Sequence, residues 1–288
     1  MKITARILLV LLAVSALAGC ASKTPQADIA ATTLPVYEFT SILCQGTDLT
    51  VTQLVTENIS CLHDYSLSVN QVKSLEAARV VVISGGGLED FMSDLLENKT
   101  VVDSSTGIPL LESCHNHEHE HHHEADAHFW LSPDCAKIMA SNICQGLILQ
   151  YPQHENLLRS NLDSLMNQLD TLNNYAKQKL STLSCREMIT FHDGFSYFAQ
   201  AFDLHILAAL EEESGSEASA SELKELITMA REHNLPAIFT EDNGSDRSAK
   251  VIAADTGAKV YSLSMILSGD SYFAAMYRNI DIVKEALG

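Results

Sequence analysis

Basic residues are scarce in this sequence. Its 288 residues include 18 Lys and Arg against 37 Asp and Glu, which gives a formal net charge of -19 at pH 7. A surface of this sign repels nucleic acid phosphates, and no basic stripe with interleaved aromatic residues is present. We therefore expect no nucleic acid partner. The charge suits a cation-rich environment, although the solubility of the protein alone can also account for it.

Long apolar runs are absent beyond the N-terminus: no later segment reaches the roughly 20 apolar residues of a transmembrane helix. The N-terminus has a short positive start and an apolar stretch over 7–18, which is typical of a signal peptide. The stretch ends in Leu-Ala-Gly-Cys at 17–20, which resembles a bacterial lipobox. We therefore predict a lipoprotein signal peptide over 1–20 and an extracytoplasmic protein that is anchored to the cell membrane through lipidated Cys20. The alternative is an ordinary secretory signal with a chance cysteine.

Cysteines at Cys-x-x-Cys spacing are also absent. Because zinc sites of the finger type are built from such thiolate pairs, a site of that type is not expected. Six cysteines remain beyond Cys20, and an exported protein can keep disulfides among them. The sequence does not select a pairing among Cys44, Cys61, Cys114, Cys135, Cys144 and Cys185.

Apolar β-rich segments alternate with helical patterns in two blocks of the chain, which predicts an α/β fold. The clearest strand is the run Val-Val-Val-Ile at 80–83, and glycines at 85–87 turn the chain into another predicted helix over 88–96. The second block starts near Glu187. The other predicted strands are 28–33, 49–55, 188–191, 236–240 and 259–263, and the other predicted helices are 37–44, 69–78, 222–232, 248–255 and 271–287.

Between the two blocks, residues 154–182 contain no Pro or Gly and place leucines three or four residues apart. This spacing predicts an amphipathic helix, roughly 40 Å long. We therefore predict two α/β lobes joined by a long rigid helix. The N-terminal lobe would span 21–150, the linking helix 151–183 and the C-terminal lobe 184–288.

Six of the twelve histidines crowd into an acidic tract at 114–124, here called the His-rich loop. Imidazole and carboxylate are both zinc ligands, so such a tract should bind divalent cations with modest affinity. Its alternating charge argues against a packed core element. The alternatives are a solvated loop or a purification tag, although a tag would lie at a terminus without interleaved glutamates. The histidines of the loop are His115, His117, His119, His121, His122 and His123.

Three other histidines lie in predicted loops next to helices and strands, where α/β folds commonly bind ligands. His63 lies just before a predicted helix, His128 precedes a helix start marked by a Ser-Pro pair, and His192 ends a predicted strand. The carboxyl ends of the strands in an α/β sheet form the ligand crevice. Three imidazoles from such loops can converge on one zinc ion. Any one of them alone is better explained as a structural histidine.

Five groups of residues occur in an order and spacing that is specific as a set. They are His63-Asp64-Tyr65 followed by 80–83 and 87–89, the segment 126–133 around His128, the segment 192–198 around His192, the segment 238–241, and Asn279-Ile280. On these residues the chain resembles the zinc and manganese solute-binding proteins of ABC importers. The resemblance covers essentially all of the mature chain.

The resemblance implies a metal site in the cleft between the lobes. His63 and His128 would come from the first lobe and His192 from the second. A histidine at the third position is similar to the zinc branch of the family, since manganese receptors tend to place a carboxylate there. Ligand chemistry agrees, because imidazoles suit zinc whereas Mn²⁺ prefers oxygen.

One position departs from the family pattern. The resemblance implies a carboxylate ligand in a late Leu-Asp-Pro-Leu-like segment, but this chain has Ser264 at that place. The fourth ligand would then be water or a carboxylate such as Glu241 or Asp270.

We therefore expect a monomeric receptor, and no enzyme, that captures Zn²⁺ and delivers it to the permease of an ABC importer. A zinc hydrolase is one alternative, because three histidines and an open position also describe catalytic zinc. However, no Gly-x-Ser-x-Gly motif is present and the segment around His192 supplies no obvious general base. A surface adhesin or metal-buffering lipoprotein is another alternative, which the sequence does not separate from a transport receptor.

Overall fold

Two parallel four-stranded sheets organise the chain. The computed structural model describes residues 27–57, 59, 62, 65–112, 125–210 and 218–288. The strands are β1 (Ile29–Ala31), β2 (Val51–Gln53), β3 (Val80–Ile83), β4 (Thr100–Asp103), β5 (Leu111–Glu112), β6 (Ala125–Asp126), β7 (Glu187–Thr190), β8 (His205–Ala209), β9 (Ala237–Glu241) and β10 (Lys259–Leu263). The α-helices are α1 (Leu34–Leu43), α2 (Val69–Ala77), α3 (Ser93–Leu96), α4 (Pro133–Gln150), α5 (Glu155–Leu180), α6 (Ser196–Ala201), α7 (Ala220–Glu232), α8 (Arg247–Thr256) and α9 (Tyr272–Leu287).

The first sheet has the strand order β2-β1-β3-β4 and the second has the order β10-β9-β7-β8. All neighbours in both sheets run parallel, whereas β5 and β6 form a separate antiparallel pair. The predicted strand at 80–83 is confirmed as β3, and its three valines are fully buried. A continuous apolar run is what a strand covered by helices on both faces requires.

The helix predicted over 88–96 is only partly correct. The three glycines at 85–87 all have positive φ, and a Cβ at Gly86 would lie 2.8 Å from the Phe129 ring. Helical structure then begins at Asp90 with a short 3₁₀ turn that leads into α3. The intervening Glu89 is buried and accepts hydrogen bonds from the backbone N–H groups of Ser84 and Gly85. The glycines therefore form a tight turn that is held by a buried carboxylate.

The long linking helix is confirmed as α5, which has 26 residues and is about 39 Å long. Its leucines at 158, 165, 169 and 172 are fully buried, and they pack against α1, α4 and α9. Because α9 closes the chain, α5 is held by elements from both ends of the sequence. None of the helices within the described ranges is both long and apolar enough to cross a membrane.

The two lobes share one continuous apolar core. At its centre the indole Nε1 of fully buried Trp130 donates to the carbonyl of Met265 at 2.9 Å, and the Tyr272 hydroxyl donates to the Trp130 carbonyl at 2.8 Å. The backbone N–H of Leu34 also donates to the carbonyl of Leu267 at 3.0 Å. We call this contact region around Trp130, Met265 and Tyr272 the seam. It joins the segment before α4 to the segment between β10 and α9.

The cysteines of the described part of the chain are free thiols, namely Cys44, Cys135, Cys144 and Cys185. Cys61 and Cys114 lie outside the described residues. Burial raises the pKa of the Cys44 thiol to about 12, so it packs as a small apolar side chain.

We expect the substitution Trp130→Phe to lower the free energy of unfolding by about 2 kcal/mol or more. It removes the indole donor and leaves the carbonyl of Met265 buried, which costs about 1–3 kcal/mol before the lost volume is counted. Urea unfolding measures the free energy of unfolding of both proteins. It is followed by far-UV circular dichroism because Trp130 is the one tryptophan in the chain, so the variant has no tryptophan fluorescence. The control Leu149→Ala alters a side chain that is 74% exposed and should stay within about 0.5 kcal/mol of the parent protein. Equal stability of the parent and Trp130→Phe would contradict the role given to the seam.

Candidate metal centre

Two of the three predicted histidines meet beside the seam. His128 directly precedes the 3₁₀ turn Phe129–Leu131, and His192 follows β7. Both are buried, and their ring centroids lie 5.3 Å apart with an interplanar angle of 86°. Two imidazoles bound to one tetrahedral zinc ion at about 2.0–2.1 Å would have their centroids about 5 Å apart. The pair therefore has the separation that a shared tetrahedral ion requires.

Local sequence signals place His128. The side chain of Ser132 accepts from the backbone N–H of Cys135 at 3.4 Å, and Pro133 is the first residue of α4. The helix start that was predicted from this Ser-Pro pair is confirmed. Because α4 begins at a defined residue, the 3₁₀ turn before it ends there and holds His128 at the lobe boundary.

Each buried ring has a carboxylate beside its Nδ1 atom. Oδ1 of Asp126 lies 2.9 Å from Nδ1 of His128, and the same oxygen accepts from the His128 backbone N–H at 2.8 Å. Oε2 of Glu241, at the end of β9, lies 3.5 Å from Nδ1 of His192. A carboxylate on one ring nitrogen orients the other nitrogen toward a metal and raises its basicity. If the two rings bind a metal, this arrangement favours their Nε2 atoms as the ligands.

Burial and hydrogen bonding act against each other on Asp126. Burial raises the pKa of this carboxyl group, but the hydrogen bonds and charge of His128 and the side-chain hydrogen bond of Ser196 outweigh burial and bring the pKa below its ordinary value. Asp126 is therefore an ionised group inside the protein. Its negative charge lies one hydrogen bond away from the candidate ligand.

Gly194 makes room for the ring of His128. A Cβ at this position would lie 2.7 Å from Nδ1 of His128 and 2.5 Å from Cε of Met265. Only a residue without a side chain lets the loop after β7 approach the first lobe this closely. The sequence segment 192–198 includes this glycine, but its spacing alone did not reveal the contact.

The third predicted ligand, His63, lies outside the described residues, as do Cys20 and the histidines of the His-rich loop at 115–123. The described Ile59, shortly before His63, lines a crevice with Glu241, Ser264 and Met265. Ile59 therefore lies near the edge of the sheet where Glu241 ends β9. Within the described ranges no group of three or more His, Cys, Asp or Glu side chains is placed to hold an ion.

The structure gives Ser264 a local role at the position of the missing carboxylate. Its hydroxyl accepts from the backbone N–H of Ile266 at 3.2 Å, where φ is +61°. Asn279 holds the backbone of Ser264 with two hydrogen bonds, at 2.9 and 2.8 Å. Of the two carboxylates considered as a fourth ligand, Glu241 lies beside His192 whereas Asp270 is exposed before α9.

Sequence reasoning missed the roles of Asp126 and Asn279, although both lay in segments that carried the resemblance. A signal was available for Asp126, because a carboxylate two residues from a histidine can reach its ring across one turn. No local signal was available for Asn279, which contacts Ser264 from a different element.

The family model of the periplasmic component A of the zinc-uptake complex, ZnuA, matches residues 29–286. The chain belongs to the ZnuA family. Its fold agrees with this membership, since a crystal structure of ZnuA superposes with a TM-score of 0.80 at 29% identity, covering 91% of this chain and 100% of that chain.

The relatives of this ZnuA-family chain include proteins named for zinc and proteins named for manganese. The high-affinity zinc uptake system protein ZnuA of Bacillus subtilis (strain 168) is 27% identical over 286 residues, covering 92% of this chain and 89% of that protein. The manganese ABC transporter substrate-binding lipoprotein PsaA of Streptococcus anginosus is 25% identical over 241 residues, covering 78% of each. The ZnuA family membership therefore fixes the class of the protein, and the choice of metal rests on the ligands.

We expect Gly194→Ala to weaken binding of Zn²⁺ at least tenfold, because the added Cβ pushes the His128 ring away from Asp126. Isothermal titration of the metal-free protein measures the affinity. The control is Gly146→Ala, whose Cβ would lie 2.5 Å from the side chain of Val102 in the first lobe, away from both histidines. It should lower stability and leave the affinity unchanged. Equal affinity losses in the two variants would contradict the close-approach argument.

Proposed function

We propose that the protein captures Zn²⁺ outside the cytoplasmic membrane and delivers it to the permease of an ABC importer. The observation that carries this proposal is the pair of buried imidazoles at the lobe boundary, spaced for one tetrahedral ion. Each has a carboxylate at Nδ1, as the histidine ligands of metals in proteins do. Membership of a zinc-uptake family supports transport as the purpose of the site and gives the hydrolase alternative no support.

In this proposal the ligands are Nε2 of His128, Nε2 of His192 and the imidazole of His63. Zinc is favoured over manganese because neutral nitrogen ligands suit Zn²⁺, whereas Mn²⁺ prefers carboxylate and water oxygen. The fourth position is filled by water or by Glu241. The 3.5 Å approach of Glu241 to Nδ1 of His192 favours the ring as its partner, which leaves water as the simpler fourth ligand.

Delivery requires that the ion be held and then released. A site built from two lobes meets both needs, because separation of the lobes withdraws His192 from His128 and divides the ligand set. We propose that lipidated Cys20 keeps the monomeric receptor at the membrane surface, near the permease. The His-rich loop would raise the local concentration of zinc without forming part of the tight site.

We expect His63→Ala, His128→Ala and His192→Ala each to abolish the single tight zinc-binding event. Removal of one ligand from a three-histidine site leaves two protein ligands, fewer than the three or four that zinc sites use. Isothermal titration of metal-free protein, with Mn²⁺ as the competing ion, measures affinity and preference. His205→Ala is the control, since this histidine is exposed on β8. A tight event that survives in any of the three variants would overturn the assignment of that histidine as a ligand.

We expect deletion of 116–124 to lower the number of zinc ions bound and to leave the tight site intact. The loop supplies extra imidazoles and carboxylates, whereas His128 is positioned by Asp126 and by the start of α4. Titration of the deletion variant beside the full chain measures both stoichiometry and affinity. Loss of the tight event would show that the loop contributes a ligand.

A further inference from the structure

We propose that Asp126 is a positioning residue that couples the orientation of the metal-binding ring of His128 to the closure of the two lobes. This inference rests on the function proposed above. It assigns to one carboxylate a task that neither the ligand set nor the fold by itself explains.

The two oxygens of Asp126 face different lobes. Oδ1 accepts from the Nδ1 and the backbone N–H of His128, at 2.9 and 2.8 Å, within the first lobe. Oδ2 accepts from the backbone N–H of Ser196 in the second lobe, at 3.2 Å. The side chain of Asp126 is fully buried, so its carboxylate is shielded from solvent between the two lobes.

Ser196 is the first residue of α6 and follows the loop that carries His192 and Gly194. The backbone N–H groups of the first helical turn have no carbonyl partner within their own helix. Asp126 thus binds a donor that belongs to the same segment as the ligand of the opposite lobe. Movement of the second lobe that withdraws His192 also withdraws Ser196 from Asp126.

Loss of the Ser196 contact has a consequence for the ring of His128. Asp126 lies on the two-residue strand β6, and in the closed protein its carboxylate is held from both sides. Once Oδ2 loses its donor, the carboxylate becomes hydrated and is held from one side only. Its hydrogen bond with Nδ1 of His128 then weakens. The ring is therefore oriented most firmly when the lobes are closed, and opening disorders the ligand as it divides the ligand set.

The negative charge of Asp126 also favours metal binding in the closed state. Neutral imidazoles leave the double positive charge of a bound zinc ion uncompensated, and a carboxylate one hydrogen bond behind the ligand offsets part of it. The interaction is strong because the group is shielded from water. Closure, which shields it, then strengthens the attraction that holds the ion.

The substitution Asp126→Asn tests this role, because it keeps the shape of the side chain and removes its charge. We expect the zinc affinity to fall about 10–100-fold and release to a chelator to accelerate by a similar factor. The matched control is Asp134→Asn, an exposed carboxylate in the first turn of α4, which should change neither. Unchanged affinity in Asp126→Asn would overturn the proposal.

Nitrogen-15 NMR of the histidine rings supplies a readout that a purely structural role would not move. In the metal-free parent protein, His128 should carry its proton on Nδ1, and this preference should be lost in Asp126→Asn. A proton on Nε2 in the metal-free parent would overturn the proposal without any variant. The measurement therefore decides the question even if the variant folds poorly.

Hydrogen exchange at the Ser196 amide tests the coupling between the lobes. We expect exchange to be slower in the zinc-loaded parent than in the metal-free parent, and the difference to be smaller in Asp126→Asn. Equal exchange in the two states of the parent would overturn the coupling. A parent protein that binds no zinc tightly would instead refute the proposed function, so the two failures are distinguishable.

Discussion

The burial of two histidines where the lobes meet is the constraint on which the site depends. A polar ring that leaves water loses free energy unless its nitrogens are hydrogen-bonded. Asp126 supplies such a bond at Nδ1 of His128, and Glu241 of the second lobe lies at ion-pair distance, 3.5 Å, from Nδ1 of His192. In the proposed site the same carboxylates would orient Nε2 of each ring toward the metal.

The seam keeps this pair of rings together. Trp130 follows His128 by two residues, and its indole and carbonyl groups are bonded to Met265 and Tyr272 across the lobe boundary. Met265 also lies against the position of Gly194 in the loop that carries His192. The seam is thus in contact with the segments that carry both histidines. The long helix α5 packs against α1, α4 and α9 and stiffens the protein around these contacts.

Strong local patterns were sufficient for much of the fold. The leucine spacing of α5, the valine run of β3 and the Ser-Pro start of α4 each combine propensity and burial in the same segment, and each prediction is confirmed. The strands β4 and β8 were not predicted. Both lie at the edge of a sheet and are less completely buried than β3: β4 has only two valines between polar residues, and β8 begins with an exposed histidine before its short apolar run. The helix predicted after the glycines at 85–87 was shortened because a buried glutamate holds the backbone of that turn.

In the candidate site, too, local features could be predicted from the sequence and contacts between distant residues could not. Residue types and their order in the chain were enough to identify the family, which is confirmed, and to predict imidazole ligands and zinc, since these inferences follow from side-chain chemistry and local motifs. The partnership of Asp126 with His128 is also local, because two residues separate them. By contrast, the meeting of His128 with His192, the approach of Glu241 and the contact of Asp126 with Ser196 join residues that are distant in sequence. Sheet order and lobe packing bring such residues together, and no spacing along the chain encodes those distances.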